Sequence, residues 1–348
     1  MQDAPVTVGI IANPVSARDI RRVIANASNL QTSERVNIVL RLLSTLRSLG
    51  VDRVLMMPDK AGMQALLSRQ LAREQSLSAR YPAVEFLNFE PASSVNDSLL
   101  AAAMMREEKV KAVIVLGGDG THRAVAKACG AIPIAGLSTG TNNAFPEMRE
   151  PTITAMAVAL FATGRLSVEE ALQSNKWIEV DINEGERGDI AIVDAVVAHD
   201  RVIGSRALWK TESLASIYLS YADPEAIGLS AIGGLLHPVS RQCDHGLAID
   251  LAASTTLAKL MLEAPIAPGM IRKLPVSRWE PLYPDQPVTV SIQAGVIALD
   301  GERELPFDAN DRVRMILRNH AFFTVNVSAC MKLAAEKALF QSLNHSST

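Results

Sequence analysis

Asp119 is the residue of this 348-residue chain whose type and neighbouring residues best suit a role in catalysis. It lies at the centre of Gly-Gly-Asp-Gly-Thr, residues 117–121, directly after the apolar run 112–116. Glycines without side chains let backbone amides approach phosphate oxygens at the start of a helix. A carboxylate there usually holds a magnesium ion or accepts a proton from an attacking hydroxyl. The pattern predicts phosphate chemistry, and a turn-forming aspartate that bonds its own loop remains the alternative.

Neither common nucleotide motif explains this turn. No Gly-Lys-Ser/Thr follows it, and Arg123 stands where a dinucleotide fold would place its third glycine. We predict that backbone amides of the turn hold phosphate oxygens, at Gly117, Gly118, Gly120 and Thr121.

A second glycine-rich segment, residues 136–143, follows the next predicted strand. Its hydroxyl and amide groups suit a ribose or a phosphate without the burial of a charge. We expect both segments to line one cleft, together with Asn13 at the end of the first predicted strand. The predicted binding residues of the second segment are Ser138, Thr139, Gly140, Thr141, Asn142 and Asn143.

The same segment also matches Gly-x-Ser-x-Gly, the nucleophile elbow of α/β hydrolases, with Ser138 as the nucleophile. His199 or His237, with Asp194 or Asp244, would then complete a triad. A hydrolase mechanism would give the Gly-Gly-Asp-Gly turn no function, so we favour the phosphate-binding cleft.

Composition and charge narrow the class of protein. The net charge of −3 gives no overall attraction for nucleic acid or an acidic membrane surface, so we expect neither as a partner. Charged residues or prolines interrupt every apolar stretch, which predicts no membrane span. The three cysteines are far apart and form no Cys-x-x-Cys pair, which favours a reducing cytoplasm.

The elements that must position these residues are predicted strands and helices, which alternate in the first half of the chain. Strands are predicted at 6–12, 53–57, 84–89, 112–116 and 132–135, with helices at 34–49, 63–77, 94–107 and 122–129. This alternation predicts a doubly wound α/β domain over residues 1–150.

The second half has a different pattern. After a predicted helix at 152–172, strands are expected at 176–182, 190–198, 247–251, 288–294, 296–299 and 312–317. We therefore predict a mainly antiparallel β domain over 151–320. A strand at 321–327 and a helix at 329–343 would pack back on the first domain as residues 321–348.

Gly-Gly-Asp-Gly-Thr resembles the hallmark of the NAD kinase and diacylglycerol kinase superfamily. Segments 190–197, 230–238, 265–268 and 299–302 resemble later NAD kinase motifs in the family's order. Towards the amino terminus, segments 11–14, 18–22, 57–59 and 141–146 resemble the acetoin catabolism protein X branch. The resemblance implies an α/β nucleotide-binding domain plus a β-sandwich-like domain, with the active site between them.

The activity implied by the resemblance is phosphoryl transfer from ATP with Mg²⁺ to a hydroxyl group, with NAD as a possible substrate converted to NADP. Asp119 would accept or orient the hydroxyl proton. The predicted substrate contacts are Asp194, Gly233 and Gly234. The residues predicted to help hold magnesium are Asp300 and Glu302, although Asp-Gly is also an ordinary hairpin turn. The family also implies a homo-oligomer.

Two departures from the NAD kinase pattern concern the acceptor. Val193-Asp194 replaces an Asn-Glu or Asn-Asp pair, and a Thr-Pro-Thr-Gly-Ser-Thr segment is absent. The phosphate-handling motifs are retained while the dinucleotide-contacting motifs differ. Two alternatives therefore stay open, which are a nucleotide-binding regulatory protein without turnover and a kinase of another small alcohol or a lipid.

Overall fold

The computed structural model describes residues 4–14, 30–73, 80–139, 143–199, 213–301 and 303–341. Its first half alternates strands and helices as the apolar pattern predicts. These elements are β1 (Thr7–Ala12), α1 (Thr32–Ser48), β2 (Arg53–Met56), α2 (Met63–Arg73), β3 (Ala83–Phe86), α3 (Val95–Glu107), β4 (Val113–Gly117), α4 (Asp119–Ala128) and β5 (Ile134–Ser138).

Among the described residues, the second half contains three α-helices and eleven strands before a last helix. Its elements are α5 (Pro151–Ala162), α6 (Val168–Ala171), β6 (Leu172–Ile182), β7 (Arg187–Ala191), β8 (Asp194–Ala198), β9 (Leu214–Leu219), α7 (Leu229–Leu236), β10 (Gly246–Leu251), β11 (Leu260–Ala267), β12 (Met270–Leu282), β13 (Val288–Thr289), β14 (Gly295–Leu299), β15 (Arg303–Phe307), β16 (Val313–Val325) and α8 (Val327–Glu336).

The first sheet has the strand order β3-β2-β1-β4-β5-β16-β6-β7, with β13 also paired to β16. Strands β1 to β5 run parallel, and every residue of β1 and β4 is buried, which explains their continuous apolar sequence. Helices α1, α5 and α8 cover one face, while α3 and α4 cover the other. The predicted doubly wound α/β fold is confirmed.

The second sheet is antiparallel, in the order β11-β12-β10-β9-β8-β14-β15. One of its faces packs on β6 and β16 of the first sheet, through residues such as Tyr218, Ile297 and Met315. Helix α7 covers the opposite face. The mainly β character of the second half is confirmed, while the boundaries at residues 150 and 320 stay predictions.

Several predicted elements differ from the structure. Strands β6, β7, β13 and β16 join the first sheet, so the strands of the second half do not form one separate sheet. The strands predicted at 312–317 and 321–327 are the single strand β16, with a register shift between Arg318 and Phe322. A bulge of this kind leaves little trace in the apolar pattern. The helix predicted at 152–172 ends at Ala162, followed by Gly164 with φ of 72°.

Helix α4 begins three residues earlier than predicted. The sequence predicted a glycine-rich turn until His122, but β4 extends to Gly117, Gly118 is the N-cap and Asp119 is the first helical residue. Glycine is unfavourable in the interior of a helix, so the glycines of this segment did not indicate a first helical turn. An aspartate at that position is favourable because the helix dipole is positive there.

The order of the parallel strands also locates a crevice. The chain passes from β1 outward to β2 and β3, and then returns to place β4 and β5 on the other side of β1. Ligands of open α/β sheets bind at such a switch point, beyond the carboxyl ends of the strands. Asn13 and Gly118 follow the two strands that flank it. No helix in the described segments is long and apolar enough to cross a membrane.

Candidate active site at the strand switch point

Asn13 joins the end of β1 to helix α3. Its side chain is buried, and Nδ2 donates to Ser94 O at 2.9 Å and to Ser98 Oγ at 3.0 Å. Its carbonyl oxygen accepts a hydrogen bond from Arg35 Nη1 at 3.2 Å. Asn13 and Arg35 also line a cavity of about 210 Å³ next to the switch point. The structure thus places Asn13 at the predicted cleft, and residues 18–22 lie outside the described residues.

Asp119 holds the second loop. Its Oδ2 accepts a hydrogen bond from Ala144 N at 3.0 Å, and its Oδ1 accepts one from Phe145 N at 2.8 Å. Amide donors of this kind favour the charged carboxylate. These bonds are those that the loop-bonding alternative predicts, and the contact of Asp119 with a substrate hydroxyl stays a prediction.

Arg241 holds the same dipeptide from its carbonyl side. Its Nη2 donates to Ala144 O at 2.7 Å and to Phe145 O at 2.9 Å. The guanidinium carbon lies 4.9 Å from the centre of the Phe145 ring and 4.5 Å from that of Tyr221. Residues 144–145 are thus fixed by Asp119 through their amides and by Arg241 through their carbonyls.

Lys176 in turn holds the segment that carries Arg241. The ammonium group is almost fully buried and donates to Cys243 O at 2.7 Å, His245 O at 2.6 Å and Ser240 O at 3.3 Å. Burial disfavours its charge and lowers the pKa of Lys176 to about 8. Residues 240–245 are therefore anchored to β6 of the first sheet.

Helix α4 carries three charged side chains at the spacing i, i+4, i+8, and the last two contact the second half of the chain. After Asp119, Arg123 places Nη1 3.5 Å from Asp189 Oδ2 and Nε 3.6 Å from Asp300 Oδ2. Lys127 Nζ lies 2.6 Å from Asp189 Oδ1. Burial alone would raise the pKa of Asp189, but the bonds from Lys127 and the Ile190 amide, with the charge of Arg123, lower it overall.

Asp300 fixes the break between β7 and β8. The residue is buried in the β14–β15 hairpin with φ of 47° and is followed by Gly301 with φ of 70°, as in a tight hairpin turn. Its carboxylate accepts hydrogen bonds from the amides of Ile192 at 3.0 Å, Val193 at 2.8 Å and Asp194 at 3.2 Å. Burial raises the pKa of the Asp300 carboxyl, against the opposing charge of Arg123 and these amides.

These contacts give Asp300 a structural role. They also fix the position of Asp194, which is the first residue of β8. The magnesium role of Asp300 and Glu302 stays a prediction, and Glu302 lies outside the described residues. Within the segments that the structure describes, no three or more His, Cys, Asp or Glu side chains form a metal-binding group.

The two predicted phosphate segments meet in the structure. Asn143 Nδ2 donates to Ser138 Oγ at 2.8 Å, and a Cβ on Gly118 would lie only 2.7 Å from Asn143 Oδ1. Glycine at 118 thus permits the close approach of the two loops. Thr139 is buried with no hydrogen-bond partner for Oγ1 in the described part of the chain. Gly140, Thr141 and Asn142 lie outside the described residues.

The other glycines and the threonine of the first segment have packing contacts. A Cβ on Gly117 would lie 2.7 Å from Cβ of Thr121, which is itself buried, as is Gly120 in the first turn of α4. The buried His122 ring places Nδ1 2.8 Å from Gly118 O, and burial lowers the pKa of His122 to about 4. His122 is therefore a neutral donor to the N-cap carbonyl near pH 7.

The described residues do not form the triad of the hydrolase alternative. Ser138 Oγ accepts a hydrogen bond from Asn143 Nδ2, and neither His199 nor His237 makes a side-chain hydrogen bond in this part of the chain. His237 lies at the end of α7, on the second sheet.

Gly233 and Gly234 are buried in α7, where they permit close packing. A Cβ on Gly234 would lie 2.2 Å from Pro224 N, and one on Gly233 would lie 2.2 Å from Leu219 Cδ1. Packing thus explains why glycine occupies both positions. Their predicted contact with substrate stays a prediction.

Two family models match the chain in succession. The ATP-NAD kinase N-terminal domain matches residues 8–166, and the C-terminal domain of acetoin catabolism protein X matches residues 176–320. Acetoin catabolism protein X of Cupriavidus necator is 56% identical over 345 residues, which cover 98% of this chain and 96% of that protein. The chain belongs to the acetoin catabolism protein X family. Its first half is an NAD kinase-type domain.

A solved structure is also similar to this family member. The crystal structure of yeast NADH kinase complexed with NADH aligns with 100% of this chain and 91% of its own, at a TM-score of 0.47 and 12% identity.

Sequence analysis missed three cationic residues of this acetoin X-family site. Arg123 was considered only as a departure from a dinucleotide motif, although its spacing from Asp119 and Lys127 on one helix face was a usable signal. Lys176 and Arg241 are distant in sequence from the carbonyls that they bind, and no local pattern pointed to them.

Proposed function

We propose that this protein transfers a phosphoryl group from ATP to a hydroxyl group, with NAD or a similar dinucleotide as the acceptor. The observation that carries the proposal is the position of Asp119, the first residue of a helix that starts at the switch point of an NAD kinase-type domain. The name of the Cupriavidus relative supports a role in acetoin catabolism.

The donor phosphates would bind at the amino end of α4. Backbone amides and the positive end of the helix dipole favour anions there, and the extended Gly118 lets a phosphate approach the backbone. The hydroxyl of the buried Thr139 lies one residue beyond Ser138, which pairs with Gly117 across β4 and β5. It is a further donor for a phosphate oxygen.

Asp119 would accept the proton of the acceptor hydroxyl. Its two bonds to the loop amides fix the carboxylate in place, and positioning is the main requirement of phosphoryl transfer. The Tyr221 hydroxyl lies in the field of Asp119, Asp194 and Asp300, which add to the effect of burial in raising its pKa. The three carboxylates therefore share one region of the molecule.

Magnesium fits this region without a dedicated protein cage. Mg²⁺ is usually held by one or two carboxylates together with substrate phosphates, and it neutralises phosphate charge when bound. Since the Asp300 carboxylate already accepts three backbone amides and Asp119 is proposed as the base, Asp194 is the carboxylate that would hold it together with the phosphates.

The deciding assay incubates the protein with ATP, Mg²⁺ and NAD, and couples any NADP to an NADP-specific dehydrogenase. We expect turnover, and a loss of about a hundredfold or more in kcat for Asp119→Asn, because general-base catalysis contributes at least that factor. Asparagine also turns an NH₂ group towards a loop amide, so stability should fall by about 1–3 kcal/mol.

A matched control separates these two effects. Asp181 is a buried carboxylate that accepts the Gly185 amide at 2.6 Å and pairs with Arg314, remote from the cleft. Asp181→Asn should lose stability and keep kcat. Normal turnover in folded Asp119→Asn would reject Asp119 as the base.

The bonds of Asp119 to its own loop also favour a second candidate, a nucleotide-binding regulator without turnover. Such a protein would bind ATP or a dinucleotide and release no product with any hydroxyl acceptor. Calorimetric binding of ATP that is unchanged in Asp119→Ala, with no NADP formed by the parent protein, would favour the regulator.

A further inference from the structure

The peptide group that joins Ala144 to Phe145 is bound at both ends by charged side chains. Its oxygen, that of Ala144, accepts a hydrogen bond from Arg241 Nη2 at 2.7 Å, and its N–H, that of Phe145, donates to Asp119 Oδ1 at 2.8 Å. A peptide dipole has its negative end at the oxygen and its positive end at the N–H. The group therefore lies between a cation and a carboxylate in the orientation that both charges favour.

The peptide groups on either side have one of these contacts each. The Ala144 N–H donates to Asp119 Oδ2 at 3.0 Å, but the oxygen of that group belongs to Asn143, to which Arg241 does not donate within the described residues. The Phe145 oxygen accepts from Arg241 Nη2 at 2.9 Å, but that group has no N–H because residue 146 is proline. The Ala144–Phe145 peptide group is thus the direct connection between the two charged side chains.

The guanidinium is fixed from several sides. The rings of Phe145 and Tyr221 lie against it, and its Nη2 also donates to Tyr221 Oη at 3.3 Å. The chain that carries Arg241 is held in turn by Lys176, which donates to three carbonyls of residues 240–245. Arg241 is therefore a rigid donor to the loop and not a free surface cation.

The charges of Arg241 and Asp119 act on the same region. Burial raises the pKa of Tyr221, the positive charge of Arg241 opposes this rise, and the negative charge of Asp119 adds to it. Hydrogen bonds in a chain polarise one another, so donation from Arg241 to the Ala144 oxygen makes the Phe145 N–H a stronger donor to Asp119.

We propose that Arg241 is a positioning residue for phosphoryl transfer, which acts on the Asp119 carboxylate through the Ala144–Phe145 peptide group. The proposal rests on the function proposed above, in which Asp119 is the base. Arg241 lies in the second half of the chain, whereas Asp119 and residues 144–145 lie in the first. The second half would thus complete the geometry of a base that the first half supplies.

The kinetic test removes the charge and keeps the bulk. Arg241→Met leaves a flexible apolar side chain against the two aromatic rings. We expect kcat to fall about tenfold or more, because a misplaced group loses near-attack geometry, while KM for ATP stays within about threefold of that of the parent protein. Arg241→Lys keeps a charged donor on one nitrogen, so its kcat should exceed that of Arg241→Met by about threefold or more.

A second readout needs no turnover. Phe145 is one of eight phenylalanines, so labelling with ¹⁵N-phenylalanine gives a simple amide spectrum in which its resonance is the one absent from Phe145→Leu. The amide proton should move upfield in Arg241→Met, because its bond to Asp119 weakens, and less far in Arg241→Lys. Asp119→Asn should then shift this resonance less in the Arg241→Met background than in the parent protein, since coupled bonds are not additive.

A matched arginine serves as the control. Arg314 is also half-buried, and its Nε donates to Asp181 Oδ2 at 2.9 Å, remote from the cleft. Arg314→Met should lose stability, keep kcat and leave the Phe145 resonance in place. If Arg241→Met does not fold, Arg241→Gln, which keeps one uncharged amide donor, takes its place in both readouts.

The proposal is rejected if folded Arg241→Met keeps kcat within about twofold of the parent protein, or if KM rises instead of kcat falling. Turnover in the parent protein with a Phe145 resonance that ignores Arg241 would reject the positioning role and leave the kinase proposal standing. A parent protein without turnover would reject the kinase proposal, and an Arg241-dependent Phe145 resonance would then show a contact that serves the loop and not the reaction.

Discussion

At the scale of single residues, the candidate site is built from charged groups that bind backbone. Asp119 accepts two loop amides, Asp300 accepts three amides at the start of β8, and Lys176 donates to three carbonyls. Each side chain therefore fixes the shape of a loop while carrying its charge into the cleft region. Substitution of such a residue changes the local backbone as well as the local charge, and activity assays need a stability measurement beside them.

His122 gives a prediction about acid stability. Its pKa is about 4 in the folded protein because the ring is buried, and about 6.5 when unfolded. Between these values only the unfolded state binds the His122 proton, so the contribution of His122 to the free energy of unfolding should fall as pH drops from about 6.5 to 4, by up to about 3 kcal/mol. Asp300 acts in the opposite direction in this window, because burial raises the pKa of its carboxyl to about 7 and the folded state then binds the proton more readily. Urea unfolding at several pH values measures this slope.

Two glutamine variants test its origin. His122→Gln removes its titration, so the free energy of unfolding of this variant should fall less, or rise more, than that of the parent protein as pH drops from 6.5 to 4, although stability is lower at every pH. His237→Gln replaces an exposed histidine and should leave the slope unchanged. Equal slopes in His122→Gln and the parent protein would assign the acid sensitivity to other groups.

Local sequence was informative wherever a residue's partners lie close along the chain. Asp119, Gly118 and Ser138 were predicted as one cleft because parallel strands end at one edge of a sheet, and the structure brings their loops together. Arg241 binds residues 144–145, almost one hundred positions away, and a single sequence holds no record of that contact. Its role follows from the three-dimensional placement of residues 240–245.

At the scale of elements, α4 links the two halves of the molecule. Its amino end lies at the switch point, and Arg123 and Lys127 reach Asp189 of β7 and Asp300 of the β14–β15 hairpin. The helix thus fixes the strands that carry Asp194 relative to Asp119.

Helix α7 gives a prediction for the two glycines assigned to substrate. Gly234→Ala would place Cβ 2.2 Å from Pro224 N and 2.3 Å from Asp223 C, which are backbone atoms that must move. We expect a loss of about 3 kcal/mol in the free energy of unfolding, at the upper end of typical overpacking. Chemical denaturation measures the change.

Gly233→Ala is the matched comparison, because its added Cβ would meet side-chain atoms of Leu219, Ala222 and Leu247. Side chains adjust more easily than backbone, so this variant should lose less stability than Gly234→Ala. A stable Gly234→Ala protein that had lost nucleotide binding would instead support a direct substrate contact.

Sequence analysis missed several elements, and these omissions have physical reasons. The edge strand β11 contains Pro265, and its partner β12 contains Pro275 and Pro281, which argued against strands there. The register shift in β16 accompanies a positive φ at His320, and a histidine alone does not predict that conformation. Buried apolar strands such as β1 and β4 were found because burial on both faces gives an unbroken apolar run.

At the scale of the whole molecule, the two sheets share one continuous framework. Strand β16 completes the first sheet beside β5 and β6, and its residues also pack against the second sheet. We therefore expect one cooperative thermal transition, with a calorimetric enthalpy equal to the van't Hoff enthalpy.

Two core variants test this expectation from opposite ends. Leu43 of α1 and Ile249 of β10 are fully buried in different clusters, and either change to alanine should cost about 2–5 kcal/mol. Both variants should shift the same single transition to lower temperature. If Ile249→Ala produced a separate early transition, the second sheet would be an independent folding unit.

The position of β16 near the end of the chain has a consequence for synthesis. When β5 leaves the ribosome, β16 has not been made, and β5 gains its pairing on that side, Ile134 with Thr324, only when residue 325 emerges. Unpaired strand edges recruit other chains. Nascent chains stalled between residues 140 and 310 should therefore depend on chaperones, and that dependence should end once β16 can close the sheet.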